Sequence, residues 1–435
     1  MTIKARDSHA FSFYPNLKPY TFNRGPGNRR FDGYLLSREY LADLAALGHE
    51  AVTEGRALFL DNGLLDDGRK IGRDAVLDDA TQAADVLTRW LRATEAEERL
   101  PLAATEVLGP EDLWSALQLE RGLELDEGAL ERLDAQASWA RAWNDRLGAR
   151  VQVFVPVHVA TYAQAYDAGR VLGRHGVAVA LPLTRALQSR RWTESITTDE
   201  VTTWTKVVPA AYLEATVVLL GVMSGYRETA GRAPRLHALG LGTPIMLPIV
   251  AAAACATGSV ITTDSMAPIN DAMTEPTTSL YVETPAPLKY KAFKIAQAWI
   301  EKGMPWGCPC PFCDAIEARY PSNPVRAREK WLAGGAKPLS KDDLLSAGPY
   351  SEDFPLLSWS RNATQHAAVG IARTNHNLWV LQRVEQHIRQ LAMVEGSLRA
   401  WVDGLVTRHG QAADPSWGRA AQLAWDAVQR WLDRG

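Results

Sequence analysis

Three cysteines fall within six residues, Cys308-Pro309-Cys310-Pro311-Phe312-Cys313, and the chain has one other, Cys255. Three thiolates this close can share one tetrahedral zinc ion, whose fourth ligand must come from elsewhere. The intervening prolines stiffen the loop and suit a metal knuckle. His366 and His376 are the downstream candidates for the fourth position, and spacing does not choose between them. A site filled at all four positions by protein is structural rather than catalytic. Cys255, in an alanine-rich stretch, reads as a small core residue.

Two carboxylates carry a different chemistry. Asp61 follows the apolar run Ala57-Leu58-Phe59-Leu60, and Asp264 follows Val260-Ile261-Thr262-Thr263. Small or polar residues come next in each case (Asn62 and Gly63; Ser265), which leaves room for a ligand. An aspartate after a strand is more often a turn or cap residue, but two in matching positions also suit acid/base and nucleophilic work. Gly240 and Gly242, in Leu239-Gly240-Leu241-Gly242-Thr243-Pro244, let a flat ligand or a phosphate approach the backbone, or simply make a tight turn. Lys289, Lys291, Lys294 and Lys302 precede the cysteine cluster and read either as phosphate contacts or as a solvated helix face.

The elements that must hold these residues alternate in type. Short β-branched or apolar runs at 57–60, 151–157, 177–181, 236–241 and 259–263 alternate with helical patterns at 81–92, 129–147, 162–175 and 210–226. That order predicts βαβ units and a parallel sheet covered on both faces. Over this length a closed (β/α)8 TIM barrel is the first choice, and an open doubly wound α/β sheet is the second. Such a barrel carries its reactive side chains at the C-terminal ends of its strands, where Asp61 and Asp264 fall. Residues 1–55 read as a lead-in and 56–288 as the main part of the barrel. Residues 289–377 read as a zinc-binding subdomain with an insertion at 314–355. The remainder, 378–435, reads as C-terminal helices, with an apolar stripe of Leu378, Leu381, Val384, Ile388 and Leu391.

Composition narrows the class. Of 435 residues, 46% are hydrophobic and 22% charged, which excludes disorder as the main state. The 47 Lys plus Arg against 50 Asp plus Glu leave a net charge of −3. That excludes a uniformly basic nucleic-acid coat but leaves open a local basic groove. No apolar run reaches the ~18–20 residues of a membrane span, and residues 1–16 show no secretory signal pattern. Clustered rather than dispersed cysteines suit a reducing, cytoplasmic setting.

Together these segments resemble the tRNA-guanine transglycosylase superfamily over residues 56–398. Phe59-Leu60-Asp61-Asn62-Gly63 is similar to its L-D-S-G-G segment, whose aspartate is the general acid/base. Pro234-Arg235 with residues 240–244 resembles its P-R-Y-L-M-G-V-G-T-P strand and turn. Thr263-Asp264-Ser265 stands where the family has F-D-S, whose aspartate is the nucleophile. The three clustered cysteines match its C-x-C-x-x-C zinc motif, and Asn375-His376-Asn377-Leu378 with Ile388-Arg389 resembles its H-N-L…I-R helix. The resemblance implies Asp264 as nucleophile, Asp61 as proton carrier and a structural zinc held by Cys308, Cys310, Cys313 and His376. It further implies Asn62, Gly63, His158, Gly240 and Gly242 as substrate contacts. Since a chain at −3 can meet a polynucleotide only through a local patch, Lys291, Lys294 and Lys302 are the candidate phosphate contacts.

The departures are informative. The family's Q-G-G segment reads Pro156-Val157-His158, and the glycines of A-I-G-G read Val179-Ala180-Leu181-Pro182. Met266-Ala267-Pro268-Ile269-Asn270 replaces the P-T-R stretch of tRNA-acting bacterial members, where the nucleic acid lies. This favours resemblance to the branch that inserts 7-deazaguanines into DNA. The expected activity is exchange of guanine in DNA for a free 7-deazaguanine base, without ATP or a redox cofactor. Exchange in tRNA is the second expectation, and a catalytically silent subunit that keeps barrel and zinc for assembly is the third. A homodimer, or partner proteins of a DNA-modification system, are the further partners expected.

Overall fold

Among the described residues, eight short parallel strands form the central sheet, and helices connect most of them. The computed structural model describes residues 11–434, apart from 25–29, 38–39, 62–104, 110, 121–122, 148–150, 184–190, 199–201, 210, 276–277, 284–286, 341, 345–347, 359–361, 395 and 413–414. The first six strands are β1 (Phe11–Tyr14), β2 (Gly33–Ser37), β3 (Ala57–Asp61), β4 (Thr105–Leu108), β5 (Val151–Pro156) and β6 (Ala178–Pro182). After the antiparallel hairpin β7–β8 (Arg191–Thr198, Thr202–Pro209) come β9 (Arg235–Leu239) and β10 (Val260–Asp264). All neighbours pair in parallel in the order β1-β10-β9-β6-β5-β4-β3-β2. The two edges of this sheet meet: Leu17 N donates to Leu35 O at 2.7 Å and Leu35 N to Pro15 O at 3.0 Å. The result is a TIM-like α/β barrel.

Successive side chains along a strand face opposite ways. Tyr14, Leu35, Ala57, Phe59, Leu108, Phe154, Ala178 and Ala180 therefore meet inside the barrel. Phe13, Leu36, Leu58, Leu60, Val153, Val179, Leu236 and Ile261 pack outward under the helices. Those helices include α1 (Pro19–Phe22), α2 (Leu41–Thr53), α3 (Leu113–Glu120), α4 (Ala129–Leu147), α5 (Tyr162–His175), α6 (Ala211–Ala230) and α7 (Met246–Thr257). The 129–147 and 162–175 patterns form the helices expected. The apolar stretch expected as helix over 210–226 is helical from Ala211 to Ala230. The helical pattern at 81–92 lies outside the described residues.

Two boundaries move. The barrel begins inside the segment read as a lead-in, because β1 and β2 supply two of its eight strands. Phe11–Tyr14 is only four residues long and is set among Pro, Asn and Arg residues that read as a turn-rich lead-in. The second boundary concerns the C-terminal part. Following β10 and α8 (Ala267–Met273), the hairpin β11–β12 (Ser279–Val282, Leu288–Lys291) leads to α9 (Ala292–Lys302), α10 (Pro311–Arg319) and α11 (Pro324–Ala333). These build a second small core around Leu280, Ile295, Ile300, Ala327, Phe354 and Leu357. The chain then returns to the barrel through the long helix α12 (Ala363–Ala392), which crosses the boundary expected at 377/378. Its C-terminal half serves as the barrel's closing helix: Glu385 accepts from Phe13 N at 3.4 Å, and Arg389 donates to Ser12 Oγ at 2.8 Å. Helices α13 (Ser397–Ala412) and α14 (Pro415–Leu432) pack on each other, and α14 packs on α6, with Trp425 fully buried and Trp431 donating to Ser224 Oγ at 2.7 Å. Among the described residues, no helix is long and apolar enough to cross a membrane.

Candidate active site and metal centre

Asp264 ends β10 with its carboxylate pointing into the barrel mouth, 6% exposed. Its Oδ1 accepts from Gly240 N at 3.1 Å and sits 3.2 Å from His237 Nε2. No hydrogen bond involves Oδ2 among the described residues, so one oxygen is committed to protein and the other is available. The turn after β9 makes this possible. Gly240 has φ +79°, a left-handed conformation that a glycine adopts without strain. A Cβ on Gly242 would lie 2.2 Å from the Ser265 Cβ. Of the two readings of these glycines, the tight turn is the one seen, and it brings the Gly240 backbone N–H to the carboxylate.

His237 is the residue that the sequence reading passed over. It lies on the inward parity of β9, fully buried, stacked at 3.8 Å on Phe59 and bonded through Nδ1 to Thr262 Oγ1 at 2.7 Å. The available signal was a histidine between apolar neighbours in a short strand, Leu236-His237-Ala238. Glu106 and Arg235, also on inward parities, pair near the N-terminal ends of β4 and β9. That end of such a barrel serves stability, so this pair belongs to the floor.

Asp61 closes β3 on the same inward parity as Ala57 and Phe59, opposite Ser37 in register. It therefore shares the C-terminal mouth with Asp264. Asn62 and Gly63 lie outside the described residues. His158 follows β5 on this rim, buried, with Nε2 at 2.9 Å from Glu111 Oε1. It lines a separate cavity of about 210 Å³ with Asp112, Gln136, Gln164 and Asp167.

A larger cavity of about 1160 Å³ opens beside Asp264, lined by Gly240 and Ser265 next to the carboxylate. Lys289, Lys291 and Lys294 form part of its wall. Lys289 pairs with Asp271, which also accepts from Tyr281 Oη at 2.8 Å. Burial, then the charge of Lys289, lowers the Lys291 ammonium below the ordinary amine range. Lys291 caps α9 and Lys294 lies in its first turn, whereas Lys302 ends the helix and does not line the cavity.

The cysteine cluster gathers its fourth ligand from α12. Cys308, Cys310, Cys313 and His376 bring one donor atom each within 4.8 Å of one another. His376 Nδ1 lies 3.4, 3.3 and 3.5 Å from the three sulfurs. Tetrahedral zinc with S and N ligands would set this separation at about 3.6 Å. His376 Nε2 donates to Tyr281 O at 2.8 Å, which leaves Nδ1 unprotonated and aimed at the sulfurs. Locally, Cys310 caps α10 and its Sγ accepts from Cys313 N at 3.3 Å, with Pro311 opening the helix. Asn377 ties the same turn of α12 to β11, accepting from Tyr281 N at 2.8 Å and donating to Ser279 O at 3.2 Å. Two buried guanidiniums flank the sulfurs: Arg24 feels Cys310 and Arg373 feels Cys313. Burial lowers both, yet arginine keeps its charge at neutral pH, and two cations here balance a thiolate-rich site. His366, near the start of α12, is not part of the cluster. The group can therefore hold a metal ion, and its closed Cys3His donor set has no open position for chemistry. No family model and no curated protein matches this chain.

Proposed function

We propose that the protein is a base-exchange transglycosylase that replaces guanine in DNA with a 7-deazaguanine, 7-cyano-7-deazaguanine being the first-choice base. The observation that carries this reading is the half-committed Asp264 carboxylate at the barrel mouth, beside a cavity walled by lysines. It is supported by the five ordered segments that resemble the transglycosylase superfamily. The target nucleotide leaves its stack to reach the mouth. Asp264 Oδ2 attacks C1′ through an oxocarbenium-like transition state, and the bond to guanine N9 breaks as Asp61 delivers a proton to the departing base. The glycosyl ester so formed is then attacked by the incoming base, whose N9 proton Asp61 takes back. Two displacements retain the β configuration, and no ATP or redox step is required.

Zinc is the ion that the Cys3His set fits best. Held by Cys308, Cys310, Cys313 and His376, it would brace α10 against α12 and take no part in the exchange. Such thiols belong in a reducing compartment, which suits the cytoplasm. The test is incubation of the protein with labelled 7-cyano-7-deazaguanine and either DNA or tRNA, followed by mass spectrometry of the released nucleosides. Modified deoxynucleoside is the expected product. Label in tRNA alone would move the substrate to RNA, and label in neither would remove the exchange reading in favour of a non-catalytic subunit.

A further inference from the structure

The cavity beside Asp264 is larger than one base needs, since small-molecule sites commonly span ~300–1,000 Å³ and this one is about 1160 Å³. Its outer part has a lining of its own. Helix α13 contributes His409 and α14 contributes Trp417, so the C-terminal pair of helices helps to wall a cavity that begins at the barrel mouth. Trp417 is 39% exposed and Tyr290 is 36% exposed, and Met266 on the same lining is 39% exposed. Large apolar side chains left in solvent around one concave, lysine-walled site offer flat faces for stacking.

His409 is the unusual member. It is 5% exposed, and among the described residues neither ring nitrogen is hydrogen-bonded. Burial pushes its pKa down to about 4, against a smaller opposing pull from the Pro287 carbonyl. The ring is therefore neutral at neutral pH, with one N–H to donate and one lone pair to accept. Leaving both unused in a buried setting is costly, and a ligand edge carrying an acceptor and a donor would remove that cost. A neutral imidazole suits a nucleobase edge better than a phosphate. The charged lining residues are three lysines, Lys289, Lys291 and Lys294, against one carboxylate, Asp271, and these suit the phosphate.

We propose that the outer part of this cavity receives the nucleotide adjoining the one under exchange, its base against Trp417 and Tyr290, its edge bonded to His409 and its phosphate beside Lys291 and Lys294. This rests on the polynucleotide base-exchange reading and extends it. The protein would select its target by the neighbouring base, as well as by the guanine itself.

The test uses the full chain and two 12-nucleotide pools, one DNA and one RNA, each with a single guanine flanked by randomised positions. Binding is read by fluorescence anisotropy, and sequence context by sequencing the bound fraction. The wild type should enrich particular bases at one flanking position. His409→Gln should lose that enrichment at that position alone. Trp417→Ala should weaken binding by roughly tenfold, within the range for loss of one stacked base. Met393→Ala, 85% exposed and outside the cavity lining, should change neither. Unaltered affinity and context in both cavity variants would overturn the inference, and if exchange persisted the exchange reading would stand. Context-selective binding lost in the variants, with no exchange by the wild type, would uphold the cavity and remove the exchange reading. A wild type that binds neither pool would overturn both.

Discussion

For His237 to donate from Nε2 to Asp264, its Nδ1 must accept the Thr262 hydroxyl 2.7 Å away. The carboxylate, which can only accept, thereby sets the tautomer, since the Thr262 hydroxyl can donate or accept and also reaches Leu236 O at 3.4 Å. His237 in turn sets the rotamer of the carboxylate that would attack C1′. Hydrogen bonds that orient metal-ligating side chains are worth about 10- to 100-fold, and a bond that orients a nucleophile is expected to matter on the same scale. His237→Leu should therefore lower single-turnover exchange by about that factor with little change in polynucleotide KM. His237→Gln, which can still donate, should recover part of the loss. Asp264→Asn should abolish exchange with metal content and fold intact, because an amide cannot form the glycosyl ester. Full activity in that variant would shift attention to Asp271, although Lys289 and Tyr281 already engage it. At His409 the prediction concerns acid stability. Its folded pKa, about 4, lies below the unfolded value near 6.5, so the unfolded chain binds the extra proton between those limits. The neutral ring's contribution is fully present above pH 6.5 and is lost as pH falls toward 4. His409→Gln should narrow the drop in urea midpoint between pH 7 and pH 5 relative to the wild type; an identical drop in both would contradict the burial argument.

One helix, α12, joins the metal cluster to the barrel wall, so loss of the ion should be felt at both ends. Binding energy at a closed structural site is folding energy. Cys310→Ala and His376→Ala should release metal, measured by elemental analysis, and lower the thermal midpoint. His366→Ala should do neither, since His366 stands outside the donor set. Helices α5 and α6 make a second prediction about elements. They approach so closely that a Cβ on Gly225 would lie 1.9 Å from the Tyr166 carbonyl oxygen, and one on Gly169 would lie 2.3 Å from that of Val222. Backbone cannot yield as a flexible side chain does, so Gly225→Ala should destabilise by about 1–3 kcal/mol in urea titration. Gly410, inside α13, has open space at its Cβ. Gly410→Ala should instead stabilise by up to ~1 kcal/mol through helix propensity.

At the scale of the molecule, a net charge of −3 cannot attract a polyanion by itself. Attraction must be local, and the cavity wall places Lys291 and Lys294 together. Neutralising both should reduce the slope of log K against log salt by about 1.4 for single-stranded DNA, at ~0.7 per phosphate contact. Lys302→Gln should leave the slope unchanged, since it stands at the far end of α9. Equal effects from Lys302 and from the other two would mean that the strand runs along the outer helix face instead of the mouth.

Short-range chemistry was legible from the residues alone. Three cysteines in six positions announce a metal knuckle, and alternating apolar runs and helical periods announce a parallel α/β barrel, because side-chain direction is fixed by backbone period. The strands ending at Asp61 and Asp264 could be recognised for the same reason. Strands β1 and β2 could not, since they are only four and five residues long and stand in a stretch whose Pro, Gly, Asn and Arg residues read as turns. The choice between His366 and His376 was open in spacing and was decided by the path of α12, which aims Nδ1 of His376 at the sulfurs. His237, His409 and Trp417 became site residues only when distant segments met: β9 beside β10, and the C-terminal helices against the barrel mouth. Contacts between elements far apart in sequence depend on how the sheet closes and which helix covers it, and no local pattern in the chain encodes that arrangement.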